Sequence, residues 1–417
     1  LGIGYFVYLT NNARFSVEGT AIINAKVNLT LGWNSIGWFN ETTLDAETLA
    51  KNIPDCKAVA YWSTEKQRFI VHPRAVNISN FSVVCGNGYL IYIEPLVWGC
   101  NLHPEAPDAC YNITKACEAF EYIANLGCRF VRTDFCWYDL EPTNNNWNES
   151  MINWYNEYIN AARTYGLDVL VILYRYPQWS VDLYNSNKTK FFEEFEEYCA
   201  KVASLYGDRI YYYQLWNEAN HPTADPIAAE DDWKLFYYAN RGLALYDSNY
   251  KSIVNILCNT LGWEDDLNNW LSNAKESIDI IGIDHYPGTW TATGYDDWYP
   301  LDALINRITN HTDPCYGKEG AIMETGYSTY VIGHAEPQQQ AFINTALPIV
   351  KDKVKAHNRN HTNKIILANW YELIDSNSGG GGDIEYHFGV LYTDRAKKPA
   401  YEDLAYQIKT FTQIVLN

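Results

Sequence analysis

The chain has 417 residues, a net charge of -19 at pH 7 and aromatic side chains at 15% of its length, including 34 Tyr and 15 Trp. This length accommodates one large domain and a smaller one, and the acidic balance argues against nucleic acid as a partner. No apolar run is long enough to span a bilayer, and so many Tyr and Trp suit either sugar-stacking surfaces or the rigid surfaces of exported proteins.

The ten cysteines are Cys56, Cys85, Cys100, Cys110, Cys117, Cys128, Cys136, Cys199, Cys258 and Cys315. They contain no CxxC pair and no Cys/His cluster with zinc spacing, so no metal or other cofactor is expected. An even count without metal spacing predicts disulfides in an oxidising compartment, with Cys56–Cys85 as one bridge. Buried thiols acting as small apolar core residues are the alternative. Nine N-x-S/T sequons agree with export: Asn28, Asn40, Asn77, Asn80, Asn112, Asn148, Asn187, Asn310 and Asn360. With no Met start and no signal peptide, the chain is expected to be a processed or partial product of an exported precursor, located outside the cell or on its surface.

Residues 1–95 read as a β-rich accessory module of short alternating segments, with a helix only around Leu44 to Lys51. Leu1 to Leu9, LGIGYFVYL, is repeated as Cys85 to Ile93, CGNGYLIYI, so residues 1–20 read as the end of a preceding repeat. Leu31 to Phe39, LGWNSIGWF, resembles the GWN-x-IGW repeats of β-rich modules on microbial surface proteins. A closing strand without its module has an open edge, which predicts insertion into a sheet of its own module or of a neighbouring chain.

From residue 96 to 417 the pattern changes to strands alternating with amphipathic helices. Strands are predicted at Val97 to Asn101, Arg129 to Phe135, Asp168 to Leu173, Tyr211 to Asn220, Ser252 to Cys258, Ile278 to Tyr286, Ala321 to Ser328 and Lys364 to Trp370. Helices fall between them; one is capped by Asn112, carries Ala116, Cys117, Phe120, Ile123 and Leu126 on one face, and is ended by Gly127. Eight such units predict an α/β fold, a (β/α)8 TIM barrel preceded by a small all-β domain. Chemistry in such barrels lies at the C-terminal ends of strands. Strand four, YYYQLWNEAN, places Glu218 there, and strand seven, AIMETGYS, places Glu324 there. Two carboxyl groups on separate strand ends are what glycoside hydrolysis needs, one to protonate the leaving oxygen and one to attack the sugar.

Trp216-Asn217-Glu218 and Met323-Glu324-Thr325, with Arg132 in FVRTDF, Tyr286 in DHYP, Trp370 and the closing HFGVLYTDRAKKPAY, resemble clan A of the glycoside hydrolases, the retaining (β/α)8 enzymes. The closing segment is similar to the end of family 5 and family 39 barrels. The resemblance implies Glu218 as acid/base and Glu324 as nucleophile, with Arg132 and Tyr286 beside the nucleophile. It also implies Asn217 on the sugar 2-hydroxyl and Trp370 as a platform under the reacting sugar. Strand three ends LYRYPQW, with Tyr174 and Tyr176 near where many clan members carry a histidine, and this departure leaves the substrate open.

Trp137, Trp179, Tyr174 and Trp290 lie near loops at the same face and are candidates for further sugar subsites, against core or rim packing. His285 and His221 are candidate hydroxyl contacts, against structural roles. The expected activity is that of an exported enzyme cleaving within a β-1,4-linked polysaccharide such as cellulose, mannan or xylan. A surface or filament protein built on a glycosidase-like barrel is the alternative, and a binding module without turnover would be expected to have lost one glutamate.

Overall fold

The apolar strand segments of the second part of the chain close on themselves. In the computed structural model the described residues are 28–29, 32–38, 43–53, 56–73, 79–93, 96–105, 108–222, 227–290, 293–330, 334–376, 384–412 and 414–415. The Leu1 to Leu9 strand, and with it any self-association through that strand, lies outside them. The contacts divide the chain into two units: Leu1–Leu96, Lys351–Thr362 and Lys409–Asn417 form one, and Val97–Val350 with Asn363–Ile408 the other.

The first unit contains β1 (Asn28–Leu29), β2 (Gly32–Gly37), β3 (Leu44–Asp45), α1 (Ala46–Asn52), β4 (Cys56–Ser63), β5 (Arg68–Pro73), β6 (Ser82–Val83) and β7 (Gly88–Ile93). Strands β2, β7, β4 and β5 form an antiparallel sheet in that order. Alternate residues Ile36, Val59, Tyr89 and Ile91 turn to one face, where Leu49 of α1 joins them in an apolar core. Asp45 caps α1 by accepting from Thr48 N–H at 2.6 Å.

The second unit has eight parallel strands: β8 (Val97–Asn101), β9 (Phe130–Cys136), β10 (Asp168–Tyr174), β11 (Tyr212–Gln214), β12 (Lys251–Leu257), β13 (Ile280–Asp284), β14 (Glu319–Thr325) and β15 (Ile365–Trp370). They pair in sequence order, and β15 pairs with β8 to close the barrel. The helices are α2 (Ile113–Leu126), α3 (Trp137–Leu140), α4 (Glu149–Thr164), α5 (Gln178–Ser186), α6 (Lys188–Tyr206), α7 (Asp232–Ala244), α8 (Trp263–Ala274), α9 (Tyr299–Thr309), α10 (Glu336–Asn360) and α11 (Ala400–Thr412). A last short strand, β16 (Ile414–Val415), belongs to the first unit, where it pairs with β1. Among the described residues no helix is long and apolar enough to cross a membrane.

Phe130, Leu170, Ile253, Ile280, Ala321, Met323 and Leu367 fill the barrel as an apolar floor. Glycines make room for the large members: a Cβ at Gly282 would lie 2.2 Å from Met323 Cγ, and one at Gly99 would lie 2.1 Å from the Phe130 ring. Gly282→Ala should therefore overpack the floor and cost about 1–3 kcal/mol. An unchanged urea midpoint for that variant would refute the close packing.

Strand four ends at Gln214, with Trp216 to Ala219 past its end as expected, because Trp216 (φ 99°) and Glu218 (φ 42°) adopt left-handed backbone that cannot continue a ladder. One expectation changes here. The Cys56–Cys85 bridge is not formed: Cys56 is buried with its Sγ 3.4 Å from the Ala58 carbonyl, Cys85 is exposed, and no disulfide occurs among the described residues. Three sequon asparagines also have a structural use. Asn112, Asn148 and Asn187 are the N-caps of α2, α4 and α6; the side-chain oxygens of Asn112 and Asn148 each accept from two backbone N–H groups, and that of Asn187 accepts from Lys190 N–H.

Candidate active site

Along the inward faces of the strands, the apolar floor gives way to polar residues toward the C-terminal ends. Asn101, Arg132, Gln214, Asn255 and Asp284 are all buried there. Arg132 is their centre. Its Nε donates to Gln214 Oε1 (2.9 Å), Nη1 to Asn101 Oδ1 (2.8 Å) and Nη2 to Asn217 Oδ1 (2.8 Å). Nη1 also pairs with Glu324 Oε1 at 2.7 Å. A guanidinium can serve so many acceptors because its five N–H groups form a rigid planar fork.

Glu324 reaches this layer through a break in register. Ala321 and Met323 belong to the floor, so simple alternation would turn Glu324 outward. The β13–β14 pairing slips between Ile283 and Asp284, so that Asp284 faces Glu324, and the β14–β15 pairing slips between Ile322 and Thr325. An extra residue in a strand re-aims the side chains that follow. Glu324 is 7% exposed, and its second oxygen accepts from the Tyr286 hydroxyl at 2.6 Å.

Glu218 sits just past β11, where the backbone leaves the strand. The turn is tied down from β11 and β12: Gln214 Nε2 donates to the Trp216 carbonyl (2.9 Å), and Asn255 Oδ1 accepts from Glu218 N–H (3.0 Å). Trp216 is buried and stacks on Tyr176 with ring centroids 5.6 Å apart. Left-handed backbone at non-glycine residues costs energy and persists only where the surroundings over-determine it. One carboxylate oxygen from each of Glu218, Asp284 and Glu324 lies within 4.8 Å of the others. Burial first, and the charge of Glu324 second, push the Glu218 carboxyl up to about 8, against a hydrogen bond from Asp284 and the charge of Arg132.

A second polar group adjoins the first through Asn101, whose side-chain amide lies 3.1 Å from His103 Nε2. His103 Nδ1 meets Asp134 Oδ2 at 2.7 Å, Arg175 lies 3.7 Å from the same carboxylate, and Glu372 lies 3.6 Å from His103 Nε2. Burial works against the charge of Asp134, but Arg175 and the His103 hydrogen bond hold its carboxyl below the usual range. Each polar group thus encloses its own cation, Arg132 in one and Arg175 in the other, which fits hydrogen bonding to hydroxyls better than metal ligation.

Glu218, Glu324, Asn217, Arg132 and Tyr286 are brought together. Trp370, Trp137, Trp179 and His285 are placed elsewhere. Trp370 is 0% exposed and packs on Phe342 of α10, so its face is not open to a sugar. Tyr371, the next residue, is half-buried, donates to Glu385 (2.7 Å) and packs its ring near those of Tyr286 and Phe388. β15 ends at Trp370 with that side chain turned into the core. Trp137 is buried, stacked on Tyr198 and bonded to Glu141 Oε2 at 2.7 Å. Trp179 is half-buried, edge-on to Trp137, with its indole N–H on the Glu141 carbonyl. His285 bonds the Asp297 carbonyl (2.7 Å) and packs against Trp298, fastening the loop after β13.

Asn101, Gln214, Asn255 and Asp284 were not singled out from the sequence. Their signal is a polar residue breaking an apolar strand near its C-terminal end: VWGCN, YYQ, KSIVNIL and IIGID.

A closed parallel barrel with two glutamates facing each other over a buried arginine at the C-terminal strand ends defines a glycoside hydrolase of clan A. The family model described as cellulase (glycosyl hydrolase family 5) matches residues 97–313. The chain belongs to glycosyl hydrolase family 5. No curated protein matches it significantly. Among solved structures it is similar to a family 5 subfamily 18 enzyme from Streptomyces cattleya in complex with GlcNAc, at 15% identity and TM-score 0.63, covering 76% of this chain and 80% of that one. It is also similar to an exo-β-1,4-mannosidase from Opitutaceae bacterium strain TAV5, at 14% identity and TM-score 0.59, covering 76% and 60%. A family 39 glycoside hydrolase from the gut symbiont Bacteroides cellulosilyticus aligns at 14% identity and TM-score 0.55, covering 92% and 81%.

Proposed function

We propose that the protein is an exported, retaining β-glycosidase that cleaves β-1,4-linked mannose- or glucose-containing saccharides by double displacement. The observation that carries this reading is that an oxygen of Glu218 and an oxygen of Glu324 lie within 4.8 Å of each other. Direct attack on the anomeric carbon needs carboxyl groups about 5–5.5 Å apart, whereas inversion needs about 6.5–9.5 Å. Glu324, oriented by Arg132 and Tyr286, is the nucleophile. Glu218 is the acid: its raised affinity for protons keeps one available at neutral pH. Its proton passes to the glycosidic oxygen as Glu324 forms the ester and the C–O bond breaks. Glu218 then takes a proton from water, whose oxygen attacks the anomeric carbon and releases Glu324. Asn217 is held by Arg132, Gln214 and Asn255 through its oxygen, which leaves its amide N–H groups to donate to the sugar 2-hydroxyl.

The sugar preference is supported by the names of the subfamily 18 and mannosidase neighbours, which concern GlcNAc and β-1,4-mannosides. Export is supported by the exposed sequon residues Asn80, Asn112, Asn187, Asn310 and Asn360. A mass shift of the native protein on deglycosylation tests the export reading. The activity is tested with aryl β-mannosides, β-glucosides and β-xylosides and with the corresponding β-1,4-polysaccharides. NMR of the first-formed anomer reads the stereochemistry, and a first product of inverted configuration refutes the mechanism. Because Glu218 acts protonated, kcat/KM should fall as pH rises through about 8. An alkaline limb near pH 5 would remove Glu218 from the acid's role.

A further inference from the structure

The pocket contains one carboxylate more than double displacement uses. Asp284, the last residue of β13, is fully buried. Its Oδ2 accepts from Asn255 Nδ2 at 2.5 Å, while its Oδ1 is buried with no hydrogen-bond donor. One oxygen of Asp284 lies within 4.8 Å of an oxygen of Glu218 and an oxygen of Glu324. The other groups around this trio are Arg132 from β9, Asn255 from β12, Tyr286 and Cys258, whose backbone N–H donates to the Asp284 carbonyl at 3.1 Å. Glu385 adds a further negative charge near Glu218. Burial pushes the Cys258 thiol and the Tyr286 hydroxyl up, so both remain neutral.

The charge count then decides the protonation. Arg132 is the one cation touching the trio among the described residues, and it is paired with Glu324. Two further carboxylates, the half-buried Glu218 and the buried Asp284, lie close together without a cation of their own. Uncompensated buried charges are driven to neutralise by taking up protons. A buried carboxylate that has an oxygen without a donor and lies close to another carboxylate is satisfied by a shared proton.

We propose that Asp284 is a positioning residue that is protonated together with Glu218 at rest and shares the one remaining proton with it after the first step, so that the acid/base of this enzyme is a carboxyl pair rather than a single glutamate. The proposal rests on Glu218 being the acid/base. In the first step Glu218 gives its proton to the glycosidic oxygen. The Asp284 hydroxyl then donates to the new Glu218 carboxylate, which holds that carboxylate toward the incoming water. In the second step Glu218 takes the water proton, and the pair returns to its starting state. Burial and the charges of Glu324 and Glu218 raise Asp284 well above the carboxylate range, which agrees with its carrying the second proton. The two groups titrate together, in steps that belong to the pair.

The test is Asp284→Asn, which keeps the volume and an oxygen for Asn255 but cannot hold a proton for Glu218. In the wild type the pair must lose its last proton before the acid is gone; in the variant a single loss suffices. The alkaline limb of kcat/KM should therefore move down by about one pH unit or more, a tenfold drop above both limbs. The loss should be greater for substrates with poor leaving groups than for activated aryl glycosides. An unmoved limb in a folded variant overturns the proposal while leaving the Glu218 assignment intact. Failure of azide to rescue Glu218→Ala would instead sink the assignment itself. Should Asp284→Asn not fold, carbon-13 titration of the wild-type carboxyl groups decides. Glu218 and Asp284 responding together in two steps is the expected result, and Asp284 titrating alone in the ordinary carboxylate range overturns it.

Discussion

Glu324→Gln is expected to abolish turnover of every substrate, by roughly 10⁴-fold or more in kcat, the scale of losing an essential nucleophile. The amide keeps the shape and the contacts with Arg132 and Tyr286 but cannot form the glycosyl ester. Glu218→Ala should behave differently. Its loss should be about 10²–10⁴-fold where the leaving group needs protonation, and small in the first step where it does not. Removing the side chain also opens room for azide, which should accept the glycosyl group from Glu324 and restore product formation as a β-glycosyl azide. Steady-state rates on a phenyl and a dinitrophenyl β-glycoside, with and without azide, separate the two residues. Equal losses on both substrates for both variants would mean that the roles are wrongly divided.

Arg132→Leu should cost about 3–5 kcal/mol of stability as well as most of the activity, because it leaves the buried carboxylate of Glu324 without its counter-charge. Arg132 is 1% exposed, and its guanidinium also supplies Asn101, Gln214 and Asn217. Arg132→Lys should fail for a related reason: a single ammonium can neutralise Glu324 but cannot span four acceptors on three strand ends. Urea unfolding and kcat/KM on an activated glycoside measure the two effects. Full activity in the lysine variant would show that charge alone, and not the fork, organises the site.

Much of this enzyme was legible in the residue order. Strands buried on both faces read as apolar runs, and helices with one apolar face read as a period of 3.6, so the eightfold alternation and its barrel followed from local pattern. Asn112 and Gly127 bound α2 as capping chemistry requires, with the side-chain oxygen of one on the first N–H groups and the left-handed backbone of the other. Glu218 and Glu324 were visible because each ends an aromatic or apolar run with a carboxyl group, beside family motifs that single them out.

What the order could not express is direction. Strict alternation turns Glu324 away from the pocket, and only the slipped pairing with its neighbours brings it back to face Asp284. Trp370, Trp137 and His285 stand at positions that suit substrate, yet packing against Phe342, Tyr198 and Trp298 claims all three. Asp284 looked like an ordinary end to IIGID until the closed barrel set it beside two other carboxylates with a single guanidinium between them. A polar side chain acquires its chemistry from the charges and water around it, and those are fixed by which strands become neighbours, a property of the closed sheet that no stretch of the chain contains by itself.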